Sequence, residues 1–207
     1  MLRIVLLILL SCGAAQAATT ILVYGDSLSA GYGLPQGSGW VHLLQQRLER
    51  EKYDYRVVNV SVSGETTSGG RNRIHAALTQ HNPAIVVVEL GANDGLRGAN
   101  TDTIRQNLIA IIAACRARNA LVLLVGMQLP PNYGNDYAEK FRSIYSTIAK
   151  TQRVALTPFL FQGFAVDRAS FQPDGIHPNA AAQPHMLDNV WIALRPTLRR
   201  PAKSITR

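Results

Sequence analysis

Five short apolar runs recur along the chain, each closed by glycine, proline or polar residues: TTILVYG, YRVVNVS, AIVVVEL, ALVLLVG and, more weakly, RVALTPF. They are apolar throughout rather than alternating, which marks strands buried on both faces. Between them lie segments with helical spacing. GWVHLLQQRLEREK puts Val41, Leu44 and Leu48 on one stripe, and TDTIRQNLIAIIAACRAR does the same with Ile104, Leu108, Ile111 and Ile112. Shorter helical patterns run through GGRNRIHAALTQH, YAEKFRSIYSTIAK and MLDNVWIALR, the last with a core stripe of Met186, Leu187, Val190, Trp191 and Leu194. Doubly covered strands separated by amphipathic helices predict an α/β fold: a three-layer α/β/α sandwich around a mostly parallel five-stranded sheet.

Such a sheet also says where a site belongs. Ligands bind beyond the carboxyl ends of the strands, near a switch in strand order, so the loops that follow strands are the suspects. VYGDSLSAGYG follows the first strand, SVSGETTSGG the second, GANDGLRG the third and MQLPPNYGNDY the fourth. Three of these loops are polar and rich in glycine, and all face one crevice.

The N-terminus carries Arg3, an apolar run from Ile4 to Leu10 and the small-residue stretch CGAAQAA, in which Ala15-Gln16-Ala17 is shaped like a signal peptidase site. Residues 1–17 read as a cleavable secretory signal and 18–207 as a single domain, which predicts a periplasmic or secreted protein. The alternative, lipid anchoring through Cys12, leaves only eleven residues of signal, short for its three regions. No run approaches the roughly 20 apolar residues of a membrane helix. Cys115 alone remains after signal removal, so no intrachain disulfide is expected, and within IIAACRAR it reads as a buried structural thiol. Much of the net charge of +8 lies in the tail from Arg195 to Arg207, which holds five Lys/Arg and no acid. That pattern reads as a solvated end on a monomer, not as a nucleic-acid surface.

The motifs narrow the chemistry. Gly31, Gly33 and Gly37 miss the dinucleotide spacing G-x-G-x-x-G by one residue, and no phosphate-binding G-x-x-x-x-G-K-[ST] occurs. Neither H-E-x-x-H nor a paired C-x-x-C is present, so no metal or other cofactor is expected. PDGIHP places Asp174 three residues before His177 in an Asp-Gly turn, where a carboxylate can meet an imidazole. With Ser27 of GDSLS they compose a nucleophile, base and orienter in the order Ser, Asp, His. The nucleophile elbow G-x-S-x-G is absent, which disfavours the α/β-hydrolase fold. His42, His75 and His81 fall in helical segments and read as surface or packing residues, as does His185 in the final helix. Arg71 and Arg73 read as solvated. From its residues alone, MQLPPNYGNDY is equally a rigid connection or an apolar wall for an acyl chain.

Taken together, GDSLS near the mature N-terminus, a glycine after the second strand, GAND after the third and DGIHP near the end resemble the blocks of the SGNH-hydrolase, or GDSL-esterase, family. ELGANDGLRG, LPPNYG and HPNAAAQP resemble its bacterial periplasmic thioesterase/lysophospholipase/arylesterase branch. The resemblance implies the flavodoxin-like SGNH fold, with Ser27 as nucleophile, His177 as general base and Asp174 as its orienter. It implies an oxyanion hole made by the backbone N–H groups of Ser27 and Gly64 and the side-chain amide of Asn93, with glycine at 64 admitting close approach of backbone to substrate. Asp26 would organise the turn around Ser27. Leu129, Pro130, Pro131, Asn132 and Tyr133 would contact substrate, and the implied substrates are small-molecule acyl esters and thioesters, lysophospholipids among them. The alternatives are a carbohydrate O-acetyl esterase of the same family, or a non-catalytic anion-binding module of flavodoxin-like shape.

Overall fold

Each of the five apolar runs forms a strand, and helices fill the intervals. The chain runs β1 (Thr19–Gly25), α1 (Ser27–Ala30), α2 (Trp40–Arg50), β2 (Tyr55–Asn59), α3 (Thr67–His81) and β3 (Ile85–Glu89). It continues with α4 (Ala92–Leu96), α5 (Thr101–Ala117), β4 (Leu121–Val125), α6 (Asn135–Gln152), β5 (Ala155–Thr157) and α7 (Gln183–Leu194). The computed structural model describes residues 19–199. The signal reading of residues 1–17, the Cys12 alternative and the tail beyond Arg199 lie outside the described residues.

The strands make one sheet in the order β2-β1-β3-β4-β5, and every pairing is parallel. This is the flavodoxin-like order, with its switch point between β1 and β3. The chain leaves β1 toward one edge to form β2, then returns past β1 to form β3. Because such crossovers are right-handed, the two connecting helices fall on opposite faces of the sheet. Accordingly α3 packs on α5 and α5 on α6 in one layer, while α2 packs on α7 in the other.

Between the layers lie Ile21, Leu22, Val23, Val86, Val87, Leu123 and Leu124, all buried. The amphipathic stripes do what their spacing predicts: Val41, Leu44 and Leu48 of α2, and Ile104, Leu108, Ile111 and Ile112 of α5, are inside, as is Cys115. Trp191 departs from the expected core stripe of α7. Met186, Leu187, Val190 and Leu194 are buried, but Trp191 is half-exposed. It lies edge-on to Tyr53 with the Arg47 guanidinium 5.4 Å above its ring, so an amphipathic indole covers the helix boundary rather than the sheet.

Local chemistry sets the helix starts. Asn100 caps α5, its side-chain oxygen accepting from the N–H groups of Asp102 at 2.9 Å and Thr103 at 3.2 Å. Asn100→Ala is expected to lower stability by about 1 kcal/mol in urea unfolding, and Asn100→Asp to restore most of it, because only the capping oxygen is at stake.

Candidate active site

β1 ends at Gly25, and Asp26 then caps the single turn of α1, its Oδ1 accepting from the Leu28 N–H at 3.0 Å. Ser27 is therefore the first helical residue beyond the carboxyl end of β1. It is buried, with 8% of its surface exposed, and its hydroxyl lies on the crevice side.

The histidine comes from the other end of the chain, on a loop without regular structure between Phe171 and Asn179. Asp174 makes this loop fold on itself: Oδ1 accepts from the N–H groups of Ile176 at 2.9 Å and His177 at 3.0 Å, leaving Oδ2 for the His177 ring Nδ1 at 2.7 Å. His177 Nε2 then lies 2.9 Å from Ser27 Oγ. Burial opposes charge on Asp174, but these hydrogen bonds from Ile176 and His177 outweigh it and hold the carboxyl down at about 2. An ionised carboxylate only accepts, so Nδ1 carries the ring proton and Nε2 is free to accept from the serine hydroxyl.

Other residues seat this loop against Ser27. Arg168 wraps it, donating to the carbonyls of Phe171, Gln172 and Pro173. Gln172 donates to the carbonyls of Tyr32 at 2.8 Å and Pro178 at 3.2 Å, and the Tyr32 ring lies 4.6 Å from the imidazole. Buried Gln183 accepts from the Trp40 N–H at 3.0 Å and donates back to the Pro178 and Asn179 carbonyls. None of Tyr32, Gln172 or Gln183 stands out in the sequence, although Gln183 follows HPNAAA directly.

Asn93, in α4 beyond β3, faces the same crevice. Its Nδ2 donates to Asp26 Oδ2 at 3.0 Å and to the Glu65 carbonyl at 3.0 Å, so the amide bridges the loops after β1 and β2. Gly64 precedes Glu65 at the exposed surface with φ +80°, and a side-chain carbon there would meet nothing within 4 Å. The left-handed backbone at 64 by itself favours glycine, whatever approaches from the crevice. Asp94 ties this assembly to α3, accepting from Thr67 N at 2.8 Å and Thr67 Oγ1 at 2.7 Å.

The loop after β4 is fastened to its neighbour. Leu129 is half-buried and, with Phe141, packs so closely on Gly95 that a β-carbon there would lie 2.8 Å from Leu129 Cδ2. Tyr133 Oη donates to the Leu96 carbonyl at 3.2 Å, while Pro130 and Asn132 are exposed and Pro131 opens a 3₁₀ turn. The loop is therefore joined to the segment that carries Asn93. Arg73, expected to be solvated, is half-buried and paired. It pairs with Glu65 at 2.5 Å, donates to the Val60 carbonyl and lies 4.4 Å over the Tyr24 ring, because that ring offers a π face beside the carboxylate. Arg71 is exposed but also donates, to Asn107 at 3.3 Å. His42, His75 and His185 are exposed and His81 is half-buried, all on helices away from the Ser27–His177 contact.

Beneath Ser27 the sequence hides a second carboxyl. Glu89, the last residue of β3, and Asp26 are both fully buried. The Asp26 N–H faces Glu89 Oε2 at 3.4 Å, and Ser29 Oγ donates to the same oxygen at 2.7 Å. The signal was a lone acid closing an otherwise apolar run, AIVVVEL. Burial pushes Asp26 up to about 6 against the hydrogen bonds from Leu28 and Asn93 that pull it down, and burial together with the Asp26 charge pushes Glu89 well above its ordinary range. A carboxyl raised on folding binds protons more readily in the native state, so its contribution is full below the unfolded value near 4 and is lost as pH rises through 6. Asp26→Asn removes that dependence. Between pH 4 and pH 8 its stability relative to wild type, from denaturant unfolding at each pH, is expected to improve by about 1–3 kcal/mol.

Comparison with known proteins places this geometry in a family. The GDSL-like Lipase/Acylhydrolase family model matches residues 23–183. The chain is 52% identical over 182 residues to Esterase TesA of Pseudomonas aeruginosa, covering 88% of this chain and 90% of that protein. It is 44% identical over 187 residues to Thioesterase 1/protease 1/lysophospholipase L1 of Escherichia coli K12, covering 90% and 87%. A crystal structure of TesA superimposes with a TM-score of 0.84 at 51% identity, over 86% of this chain and 99% of that one. The chain belongs to the GDSL-like lipase/acylhydrolase family, the SGNH hydrolases.

Proposed function

We propose that the protein is a serine hydrolase that cleaves carboxylic esters and acyl thioesters by way of an acyl-enzyme. The observation that carries this reading is the continuous chain from Ser27 Oγ to His177 Nε2 at 2.9 Å and from His177 Nδ1 to Asp174 Oδ2 at 2.7 Å, in a member of an acylhydrolase family. Ser27 attacks the acyl carbonyl while His177 takes its proton; Asp174, ionised, stabilises the imidazolium that forms. His177 then protonates the departing alcohol or thiol, and water repeats the sequence to release the acid.

The negative oxygen of the tetrahedral intermediate is met by the backbone N–H groups of Ser27 and Gly64 and by the Asn93 amide. Both amide hydrogens of Asn93 are engaged in the resting site, one of them with the Glu65 carbonyl, and in this reading that hydrogen is shared with the developing oxyanion. The relatives named esterase and thioesterase/lysophospholipase support the substrate classes, with the acyl chain running along the loop from Leu129 to Tyr133. Residues 1–17 direct export, and the exported single domain acts as a monomer; among the described residues no helix is long and apolar enough to cross a membrane.

Ser27→Ala is expected to abolish ester and thioester hydrolysis together while circular dichroism stays native, since one nucleophile serves both. A fluorophosphonate labels wild type at Ser27. Labelling at another serine, or loss of only one activity, overturns the one-site reading. Asn93→Ala is expected to lower kcat by about 10²–10³ with little change in KM, because its hydrogen bond strengthens as charge develops. Asn93→Asp does at least as badly, its carboxylate repelling that charge; a nearly active Asn93→Asp enzyme removes Asn93 from the oxyanion hole.

A further inference from the structure

The buried carboxyl of Glu89 has no part in the reaction just described, yet it lies directly under the turn that carries Ser27. Gly25 is in register with Glu89 across the β1–β3 pairing, and a β-carbon on Gly25 would lie 2.7 Å from Glu89 Oε2. The missing side chain therefore makes room for this carboxyl. Both Glu89 and Asp26 are excluded from solvent, and among the described residues neither has an ion pair with a lysine or arginine. Two adjacent carboxyls in such a place cannot both be charged, so one of them holds a proton.

The hydrogen-bond donors say which. Asp26 has N–H donors on both oxygens, Leu28 on Oδ1 and Asn93 on Oδ2, an arrangement that favours an anion. On Glu89 the nearest donors, the Ser29 hydroxyl and the Asp26 N–H, both go to Oε2. Oε1 is buried with no donor reaching it. A buried oxygen that no donor reaches is a poor place for negative charge, so the proton belongs on Glu89, and a proton held toward Asp26 would favour neutral Glu89 and ionised Asp26. The other groups facing the pair are His177, which favours the Asp26 anion, and Tyr145 and Asp94 behind it.

We propose that Glu89 is a positioning residue that works as a neutral carboxylic acid: it accepts from Ser29, shares its proton with Asp26, and so fixes the Asp26-Ser27 turn and the Asp26 anion that holds the Asn93 amide. It touches no reacting atom and acts through Asp26 and Ser29. The proposal rests on Ser27 being the nucleophile.

Glu89→Gln keeps the shape, the acceptor and a donor for Asp26 without the acid; Glu89→Leu keeps only the approximate volume. Infrared spectroscopy of the wild-type protein at neutral pH should show a protonated-carboxyl band that Glu89→Gln lacks. Glu89→Gln is expected to hold kcat within about threefold of wild type, while Glu89→Leu loses at least about tenfold in kcat with KM nearly unchanged. A residue that only supports the fold would lower the melting temperature of Glu89→Leu and leave kcat of the folded fraction intact. The proposal is overturned by a wild-type spectrum without that band, by a band that survives in Glu89→Gln, by wild-type kcat in folded Glu89→Leu, or by strong loss of kcat in Glu89→Gln. If Glu89→Leu does not fold, the band and the Glu89→Gln kinetics still decide. Fluorophosphonate labelling of the wild type tests the nucleophile by itself, so a wrong serine and a wrong role for Glu89 give different results.

Discussion

The site depends on the pairing of β1 with β3. The connections that leave these two strands run to opposite sides of the sheet and open a crevice above the seam between them. Gly25 and Glu89, the last residues of the two strands, are in register, so the segments that follow start side by side. Asp26-Ser27 grows from one strand and the turn holding Asn93 from the other. The hydrogen bond from Asn93 to Asp26 then closes the seam at 3.0 Å. Asn93 also holds the Glu65 carbonyl, which draws in the loop after β2 and with it Gly64. Three loops distant in sequence are thereby fixed against one another by two hydrogen bonds from a single amide.

The histidine is held differently. Ser27, Asp26 and Glu89 belong to the interior, whereas Asp174 and His177 lie on a loop that crosses the surface. That loop is stiffened from within by Asp174 and Arg168 and attached from without by Gln172 and Gln183. Each such hydrogen bond contributes only about 1 kcal/mol net, but together they restrict the imidazole to one approach to Ser27. Asp174 and His177 thus sit on a polar surface loop, while Ser27 is held in the buried first turn beyond β1.

What could be read from the sequence is what short range determines. The strands were legible because the central parallel strands, covered on both faces, are apolar along nearly all their length, and the Asp174–His177 contact because it spans one Asp-Gly turn. Ser27 and Asn93 were legible as polar residues directly after strands. The remainder depends on which side chains meet across the sheet. Arg73 looked solvated on its helix, yet the ring of Tyr24 and the carboxylate of Glu65 are waiting beside it. Glu89 carries no motif in the sequence, and only the register with Gly25 puts it under Ser27. The chemistry of the loop from Leu129 to Tyr133 left a rigid connection and a substrate wall equally open, and the structure shows the fastening part: Leu129 packs on Gly95 and Tyr133 donates to the Leu96 carbonyl.

The protonation of the buried pair bears directly on the energetics of an oxyanion. Asp26 accepts from Asn93 and draws that N–H toward itself, so a negative charge there orients the amide and, on the proposed mechanism, also repels the charge that develops in the transition state. Unit charges about 4 Å apart at an effective dielectric of about 20 interact by roughly 4 kcal/mol. One oxyanion-hole donor supplies about 2.7–4 kcal/mol. A single buried anion, directed through its hydrogen bond into the Asn93 amide, is compatible with such a donor because the bond spreads its charge. A second anion at Glu89 would have no donor on Oε1 to spread its charge and would add further repulsion against the stabilisation proposed for Asn93. The geometry that leaves one Glu89 oxygen without a donor therefore suits the proposed chemistry above it: a site that gathers a new negative charge tolerates one carboxylate beneath it, and only if the other stays neutral.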